Sequence, residues 1–183
     1  EYWAHFGREK TLALVEGMFA FAVWDSVEHE LTLVRDRMGV KPLLWSLQNG
    51  VFRFASELGA IAEDLGNGTE LDSNAVDLFL RFGYTPAPFT IDARVQKLLP
   101  GGMLIWRPGA APSISSYWDV ASAMQCVVAR SAPASDDALL DMLDERISSA
   151  VSMQMISDVP VGAFLSGGID SSLVVAMMRK HGP

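Results

Sequence analysis

The sequence predicts two parts with different folds: first an α+β part with antiparallel strands and flanking helices, and then the start of an α/β unit. Between residues 17 and 55, short apolar segments are separated by turns, a pattern typical of antiparallel hairpins. Small residues dominate from 119 to 135 and interrupt the apolar periodicity. A helix, a short apolar run and a second helix then follow between residues 136 and 181, and this alternation indicates an α/β unit.

The first part is expected to begin with a helix and four strands. Trp3, Phe6 and Leu12 suit one apolar face of a helix. Large and small residues alternate over 17–25, which predicts a buried strand with its bulk on one face. Its hairpin partner is predicted at 31–35. The strong turn signal Asn49-Gly50 separates two further strands, predicted at 43–47 and 51–55.

Two helices and another hairpin are expected in the rest of this part. A short helix is predicted at 57–65, and Asp72 can cap a second helix that runs through Phe82. An irregular, proline-rich loop follows. Residues 95–99 and 103–106 flank the turn-forming sequence Pro-Gly-Gly, so we expect them to form a hairpin.

The small residues of 119–135 mark the predicted linker, which places the two domains at 1–118 and 136–183. Ser135 can cap a helix whose first turn has two acidic residues, where the helix dipole favours them. The apolar face of that helix is formed by Leu140, Leu143, Ile147, Val151 and Met155.

The most informative segment is the run of residues 161–172, which reads Val-Gly-Ala-Phe-Leu-Ser-Gly-Gly-Ile-Asp-Ser-Ser. Its apolar beginning predicts a strand, its centre is a turn of small residues, and a helix is predicted from Ser172 to His181. A strand, a turn and a helix N-terminus in this order can bind phosphate, because unpaired N–H groups and the helix dipole face the anion. A plain Gly-Gly turn before a capped helix is the alternative.

The residue types of this turn suit phosphate chemistry. Gly167 and Gly168 allow the backbone to approach an anion closely. Hydroxyl donors are offered by Ser166, Ser171 and Ser172. Asp170 repels phosphate, so it is the candidate ligand of a magnesium ion that bridges phosphate oxygens. The common P-loop is excluded, because Gly168 stands where that motif requires lysine.

The composition excludes several partners. The chain has 14 Lys and Arg against 22 Asp and Glu, a net charge of −8 with no basic block, so nucleic acid is not expected to bind. The longest apolar runs, 18–24 and 173–178, are too short to span a bilayer. The single cysteine, Cys126, excludes an internal disulfide and fits a reducing, cytoplasmic compartment. Both ends look like cuts through longer structure, so an internal fragment is expected.

Five segments of the chain carry a family resemblance. They are Gly-Met-Phe-Ala-Phe-Ala-Val-Trp-Asp at 17–25, Arg-Asp-Arg-Met-Gly-Val-Lys-Pro-Leu at 35–43, Phe-Ala-Ser-Glu-Leu at 54–58, Phe-Gly-Tyr-Thr-Pro-Ala-Pro-Phe-Thr-Ile at 82–91 with Leu-Leu-Pro-Gly at 98–101, and 158–172. In this order and spacing they resemble the glutamine-hydrolysing asparagine synthetases over nearly the entire chain. The turn at 166–171 by itself resembles the phosphate loop of the ATP pyrophosphatases.

The resemblance implies an N-terminal-nucleophile glutaminase fold, with 1–118 as its C-terminal part, followed by the beginning of an α/β ATP-pyrophosphatase domain. In such enzymes a cysteine thiolate releases ammonia from glutamine. ATP, with magnesium, adenylates the aspartate side chain and releases pyrophosphate, and ammonia then displaces AMP. Glutamine and aspartate are therefore the implied substrates, and a homodimer is left open.

The resemblance assigns ATP and pyrophosphate binding to one contiguous set of residues: Leu165, Ser166, Gly167, Gly168, Ile169, Asp170, Ser171 and Ser172. Asp170 is the implied metal ligand. The glutaminase nucleophile would precede Glu1, so no catalytic residue is expected in this chain and the fragment itself is expected to be inactive. Cys126 has no histidine nearby in sequence, and we expect it to be inert.

Other interpretations stay open at this point. β-Lactam synthetase and the asparagine-synthetase-like amidotransferases of polysaccharide biosynthesis resemble the same segments and act on other carboxylates. An alternative of a different class is a truncated, catalytically inert remnant. Arg35, Asp36, Arg37 and Glu57 could be catalytic, but paired charges that brace a hairpin corner are the better interpretation.

Overall fold

Residues 2–66, 68–128 and 135–182 are described by the computed structural model of the chain. They group into two units, Glu1–Cys126 and Val127–Pro183. The first unit combines helices with two antiparallel sheets, which confirms the predicted α+β class, and the second unit is built on two helices. Among the described residues, no helix has both the length and the apolarity that crossing a bilayer needs.

Helices and strands are numbered in chain order. They are α1 (Tyr2–Leu14), β1 (Ala20–Asp25), β2 (Glu30–Arg35), β3 (Leu44–Gln48), β4 (Val51–Ala55), α2 (Leu58–Leu65), α3 (Ser73–Phe82), β5 (Gln96–Lys97), β6 (Gly102–Trp106), β7 (Ser113–Ser116), α4 (Val120–Val128), α5 (Asp136–Gln154) and α6 (Ile169–His181). The predicted cap of α3 is present, since the Asp72 carboxylate accepts hydrogen bonds from the N–H groups of Asn74 and Ala75.

Two antiparallel sheets form the first unit. One has the strand order β1-β2-β6-β7 and the other has the order β4-β3-β5. The first two predicted hairpins are confirmed, because β1 pairs with β2 and β3 pairs with β4. In the second hairpin, Asn49 and Gly50 both have positive φ angles, 53° and 77°, as a type I′ turn requires.

The hairpin predicted for 95–106 is wrong. β5 pairs with β3 in one sheet, whereas β6 pairs with β2 and β7 in the other. The turn between them therefore carries the chain from sheet to sheet instead of folding it back. At this turn the φ angle of Gly101 is 63°, and a Cβ there would lie 2.1 Å from the Trp118 carbonyl oxygen. β7 has no counterpart in the prediction, because its sequence is mostly serine and all four residues are exposed.

β1 is less buried than predicted. Residues 30–34 of β2 are all buried, whereas β1 is an edge strand whose Trp24 is 50% exposed. Alternation of large and small residues identifies a strand, but the position of that strand within the sheet depends on partners far away in sequence.

The hydrophobic core of the first unit lies between its two sheets. Buried leucines and three aromatic rings meet there: Leu31, Leu33, Leu43, Leu98, Leu104, Trp45, Phe52 and Trp106. The Phe52 and Trp106 rings stack with 4.9 Å between their centroids. Helix α2 covers a smaller cluster, formed by Leu44, Ile61 and Val95. Each such side chain contributes roughly 1.5–3 kcal/mol when fully buried, so this packing holds the sheets in place.

Side-chain contacts join the two helices of the second unit. Ser135 caps α5 as predicted, since its Oγ accepts a hydrogen bond from the Ala138 N–H at 3.2 Å. Lys180 Nζ of α6 lies 2.6 Å from Asp144 Oδ2 of α5. The Ser148 hydroxyl and the His181 ring form a second contact between the helices.

The strand predicted at the start of 161–172 is not formed. Residues 156–168 have neither helix nor strand structure, and Phe164 is 100% exposed. A β-strand needs a neighbour for its hydrogen-bond ladder, and the described residues of the second unit contain no strand that could pair with it. Helix α6 begins at Ile169, three residues before its predicted start.

The predicted linker at 119–135 is helical in its first half, where α4 occupies Val120–Val128. Asp119 begins this helix by accepting hydrogen bonds from the N–H and the hydroxyl of Ser122. Alanine favours helix, which explains how a segment of small residues adopts this structure. Residues 129–134 of the linker lie outside the described residues, and the domain limits 1–118 and 136–183 remain a prediction.

Candidate phosphate-binding site

The candidate site is the turn that leads into α6. Leu165, Ser166 and Gly167 precede the helix, and Gly168 is its N-cap residue with extended backbone angles (φ −78°, ψ 163°). The first turn of α6 contains the remaining predicted residues, namely Ile169, Asp170, Ser171 and Ser172. The sequence-predicted set therefore lies together on one short stretch around a helix N-terminus.

Glycine is needed in this turn for its backbone conformation. Gly167 has a φ of +84°, in the left-handed region where a side chain is strained. At Gly168 a Cβ would make only ordinary van der Waals contacts, 3.6 Å from Ser166 Oγ and 4.0 Å from Ser171 Oγ. The two glycines thus leave the backbone accessible where the helix begins.

Hydroxyl groups line the same opening. Ser166 Oγ and Ser171 Oγ lie 3.0 Å apart, and Ser171 Oγ donates to the Gly168 carbonyl oxygen at 3.1 Å. Gly168 has no side chain that could cap the helix, so the N–H groups of the first turn have no side-chain partner at the N-cap. Amide N–H groups and serine hydroxyls thus lie on one short stretch, and these are the kinds of donor that an oxyanion requires.

Asp170 is exposed in the first turn of α6. A carboxylate at this position interacts favourably with the helix dipole, which is a structural role that needs no ligand. As a magnesium ligand it would be a single carboxylate, since no group of three or more possible ligands from His, Cys, Asp and Glu occurs in the described ranges. Magnesium is commonly bound through one or two carboxylates together with phosphate oxygens. The donor set therefore fits magnesium held jointly with a phosphate.

The site is open to solvent on its apolar side as well. Leu165 is 61% exposed and Ile169 is 87% exposed. Their side chains are free to contact another molecule. Phe164, which belongs to the predicted strand that is not formed, is also exposed.

The charged corner after β2 has a structural role, but not through paired charges as predicted. The guanidinium of Arg35 donates to the carbonyl oxygens of Lys41, Leu98 and Gly39 at 2.9, 2.6 and 2.7 Å. The buried Asp36 carboxylate accepts hydrogen bonds from the N–H groups of residues 38, 40 and 41. Each of the two charged side chains therefore binds backbone groups rather than the other side chain. These hydrogen bonds hold the corner in place.

Two family models match the chain. The model described as a glutamine amidotransferase domain matches residues 1–118, and the model described as asparagine synthase matches residues 142–183. Both antiparallel sheets of the first unit lie in the first range, and the turn before α6 lies in the second. The chain thus contains a match to a glutamine amidotransferase domain, followed by a match to an asparagine synthase domain.

Similar proteins agree with this class. Asparagine synthetase (glutamine-hydrolyzing) 1 of Bacillus subtilis (strain 168) is 34% identical over 176 residues, which cover 96% of this chain and 27% of the relative. A Mycobacterium tuberculosis (strain ATCC 25618 / H37Rv) protein, provisionally named asparagine synthetase (glutamine-hydrolyzing), is 36% identical over 183 residues. This match covers 98% of this chain and 27% of the relative. Amidase chry2 of Gibberella zeae is 29% identical over 190 residues, with 96% and 25% covered.

The chain belongs to the glutamine-hydrolysing asparagine synthetase family. It spans about a quarter of the length of these relatives, between 25% and 27%. Within that span, sequence reasoning identified the family and the turn before α6 from local motifs.

Proposed function

We propose that this chain is part of a glutamine-dependent asparagine synthetase. In the reaction, an oxygen of the aspartate side-chain carboxylate attacks the α-phosphorus of ATP, and pyrophosphate leaves. Ammonia released from glutamine then attacks the carbonyl carbon of the acyl-adenylate, and AMP leaves with the shared oxygen. The products are asparagine, AMP and pyrophosphate.

The observation that supports this proposal most strongly is the uncapped N-terminus of α6 beside the serine hydroxyls of the turn before it. The N–H groups of the first helical turn and the hydroxyl of Ser166 would bind oxygens of the departing pyrophosphate. Because Ser171 Oγ donates to the Gly168 carbonyl oxygen, Ser166 is the donor in the Ser166–Ser171 hydrogen bond. The Ser166 hydroxyl would turn from Ser171 to the anion when pyrophosphate binds. Leu165 and Ile169, both exposed, are placed to contact the nucleotide.

Asp170 is the proposed magnesium ligand. Its exposed carboxylate lies on the same helical turn as the amide donors. When bound, magnesium would neutralise negative charge on the phosphate oxygens and so favour departure of pyrophosphate. The residues of the chain then supply the fixed hydrogen-bond donors around that charge.

We propose the finer architecture from the same set of observations. Residues 1–118 would form the C-terminal part of an N-terminal-nucleophile glutaminase domain, and 136–183 the beginning of an α/β ATP-pyrophosphatase domain, joined by 119–135. The antiparallel sheets and the family matches support this division. We assign no catalytic residue of glutamine hydrolysis to this chain, and a cytoplasmic location of the protein remains part of the proposal.

A second acceptor chemistry has specific support. The Gibberella zeae relative is named an amidase rather than an asparagine synthetase, so the carboxylate that is adenylated could differ from aspartate, as in the polysaccharide-cluster amidotransferases or β-lactam synthetase. The phosphate chemistry proposed for residues 165–172 is the same in either case.

Pyrophosphate release by the full-length protein tests this proposal. With ATP, magnesium and ammonia present, release should depend on added aspartate, and asparagine should appear in equal amount. If pyrophosphate release depends on another carboxylate instead, that carboxylate is the acceptor and aspartate is not. No release with any carboxylate would overturn the synthetase proposal and favour an inert remnant.

A further inference from the structure

The first unit contains a cavity that the proposed function does not use. It has a volume of about 390 Å³, within the range of small-molecule sites. Helix α1, the corner after β2, and strands β6 and β7 enclose it, and its walls include Arg8, Leu12, Arg37, Met103 and Trp118. Glu9 and Ala13 lie at its exposed rim, so a solute can enter from solvent.

Two guanidinium groups of the cavity wall have incomplete hydrogen bonding. The Nε atoms of Arg8 and Arg37 are both buried, and neither meets an acceptor within the described ranges of the chain. Arg37 Nη2 makes only long contacts, of 3.4 Å each, to the carbonyl oxygens of Leu12 and Ala13. A buried donor without an acceptor has lost its hydrogen bond to water. A molecule in the cavity would therefore meet the terminal guanidinium nitrogens rather than these buried Nε atoms.

Two arginines and one acidic residue, Glu9, line the cavity, although the whole chain has a net charge of −8. Arg8 shares the Glu30 carboxylate with Arg107, whose Nη2 lies 3.0 Å from Oε2. Arg37 forms no ion pair with any acidic residue that the structure describes. Arg37 is thus the arginine of this wall that has no carboxylate within salt-bridge distance among the described residues, and Glu9 at the rim is the acidic residue of the same wall.

The two hydroxyl groups of the wall are already satisfied. The Tyr117 hydroxyl donates to the Arg35 carbonyl oxygen at 2.9 Å, and Ser116 Oγ donates to the Trp118 carbonyl oxygen at 2.8 Å. Neither hydroxyl is therefore free to donate to a ligand, and the guanidinium N–H groups are the charged donors of the wall. Arginine binds carboxylates through paired, charge-assisted hydrogen bonds.

We propose that this cavity binds a small carboxylate. Arg37 would hold the carboxylate, with Arg8 adding a second positive charge, and the apolar body of the ligand would pack against Leu12, Met103 and Trp118. The site lies entirely within the first unit, and its ligand takes no part in the proposed ATP reaction. Failure of either proposal therefore leaves the other untouched.

Fluorine NMR of 4-fluorobenzoate tests the proposal directly. At constant ionic strength, addition of the protein should broaden the fluorine signal of 4-fluorobenzoate. The signal of 4-fluorobenzamide, which has the same ring without the charge, should stay sharp. Arg37→Gln should weaken binding of the benzoate by about tenfold or more, since a charge-assisted pair is lost. Arg81→Gln is the matched control, because Arg81 is an exposed arginine of α3 that pairs with Asp77.

A second variant protects the test from a folding defect. Ala13→Phe places a bulky side chain at the rim and leaves both arginines intact, so it should also weaken binding while methyl proton spectra stay native. Equal binding of the benzoate by Arg37→Gln or Ala13→Phe would overturn the proposal. Equal binding of the neutral benzamide, or no binding of the benzoate at millimolar concentration, would do the same.

Discussion

Asp36 shows how one residue can fix a corner of the fold. Asp36 is 1% exposed. Its carboxylate accepts hydrogen bonds from the backbone N–H groups of residues 38, 40 and 41, which follow β2. Burial by itself would raise the pKa of this carboxyl, but the hydrogen bonds from Lys41, Val40 and their neighbours hold it below its ordinary value of 3.8. The backbone amides therefore stabilise the charged form, and the corner depends on that charge.

We expect Asp36→Asn to destabilise the first unit by about 1.5–3 kcal/mol, the usual contribution of hydrogen bonds to a charged group. The amide that replaces the carboxylate can accept from only one side and places a donor against a backbone donor. Urea unfolding measures the change in free energy of unfolding. Asp25→Asn is the control, because Asp25 also accepts from two backbone N–H groups but is exposed. An equal, small effect at both positions would contradict this role of Asp36.

Helix α6 and the turn before it form the element on which the proposed function depends. The left-handed conformation of Gly167 sets the direction in which the chain enters the helix. Gly168, as an N-cap residue without a side chain, leaves the first amide groups uncapped. Ser166 and Ser171 then face each other across the opening. The element thus leaves its own helix N-terminus unsatisfied, which is the condition under which an external anion is favoured.

Gly167→Ala should weaken the binding of magnesium pyrophosphate about tenfold. A left-handed backbone costs a residue with a side chain roughly 1–2 kcal/mol, so the turn would favour other conformations. Isothermal titration of the full-length protein with magnesium pyrophosphate measures this loss. Gly162→Ala is the control, because its Cβ would meet nothing within 4 Å and its φ is not in the left-handed region. Unchanged affinity of the Gly167 variant would show that this conformation does not matter for binding.

Elements with a local signal were predictable from the sequence, whereas those defined by distant partners were not. The caps at Asp72 and Ser135 and the turn at Asn49-Gly50 each depend on a few neighbouring residues, and each is confirmed. The hairpin predicted for 95–106 is wrong because β5 and β6 find partners in different sheets. The strand expected before Ser166 has the right composition, but its formation requires a neighbouring strand.

The candidate site shows the same division. Its residues are contiguous, so the motif could be recognised from the sequence alone. The cavity between α1 and the end of β7 was missed, because Arg8, Arg37 and Trp118 are far apart in the chain and no periodic pattern connects them. Only the antiparallel packing of the whole first unit brings these side chains to one place.

The stability of the first unit should fall at acidic pH. The Arg94 guanidinium, which donates to Asp92 at 2.9 and 2.6 Å, holds the pKa of that carboxyl below 3.8, and the pKa of Asp36 is lowered as well. A folded pKa below the unfolded pKa contributes stability that is present above the unfolded value and is lost as the pH falls through the folded value.

Urea unfolding between about pH 6 and pH 2 measures this dependence. The contribution of these two carboxyl groups to the free energy of unfolding should be nearly constant near pH 6. It should decline below about pH 5. Asp92→Asn should reduce the steepness of the decline. The same slope in this variant and in the parent chain would contradict the contribution of the Asp92–Arg94 pair.

The most direct test of the central claim compares two aspartates in the full-length protein. Asp170 and Asp137 are both exposed and both occupy the second position of a helix, α6 and α5 respectively. Each therefore interacts similarly with its helix dipole. Asp170→Asn should reduce ATP-dependent pyrophosphate release by about a hundredfold or more, the scale of losing one charge-stabilising group, and Asp137→Asn should leave it unchanged. Pyrophosphate release at the parent rate by the Asp170 variant would contradict the account.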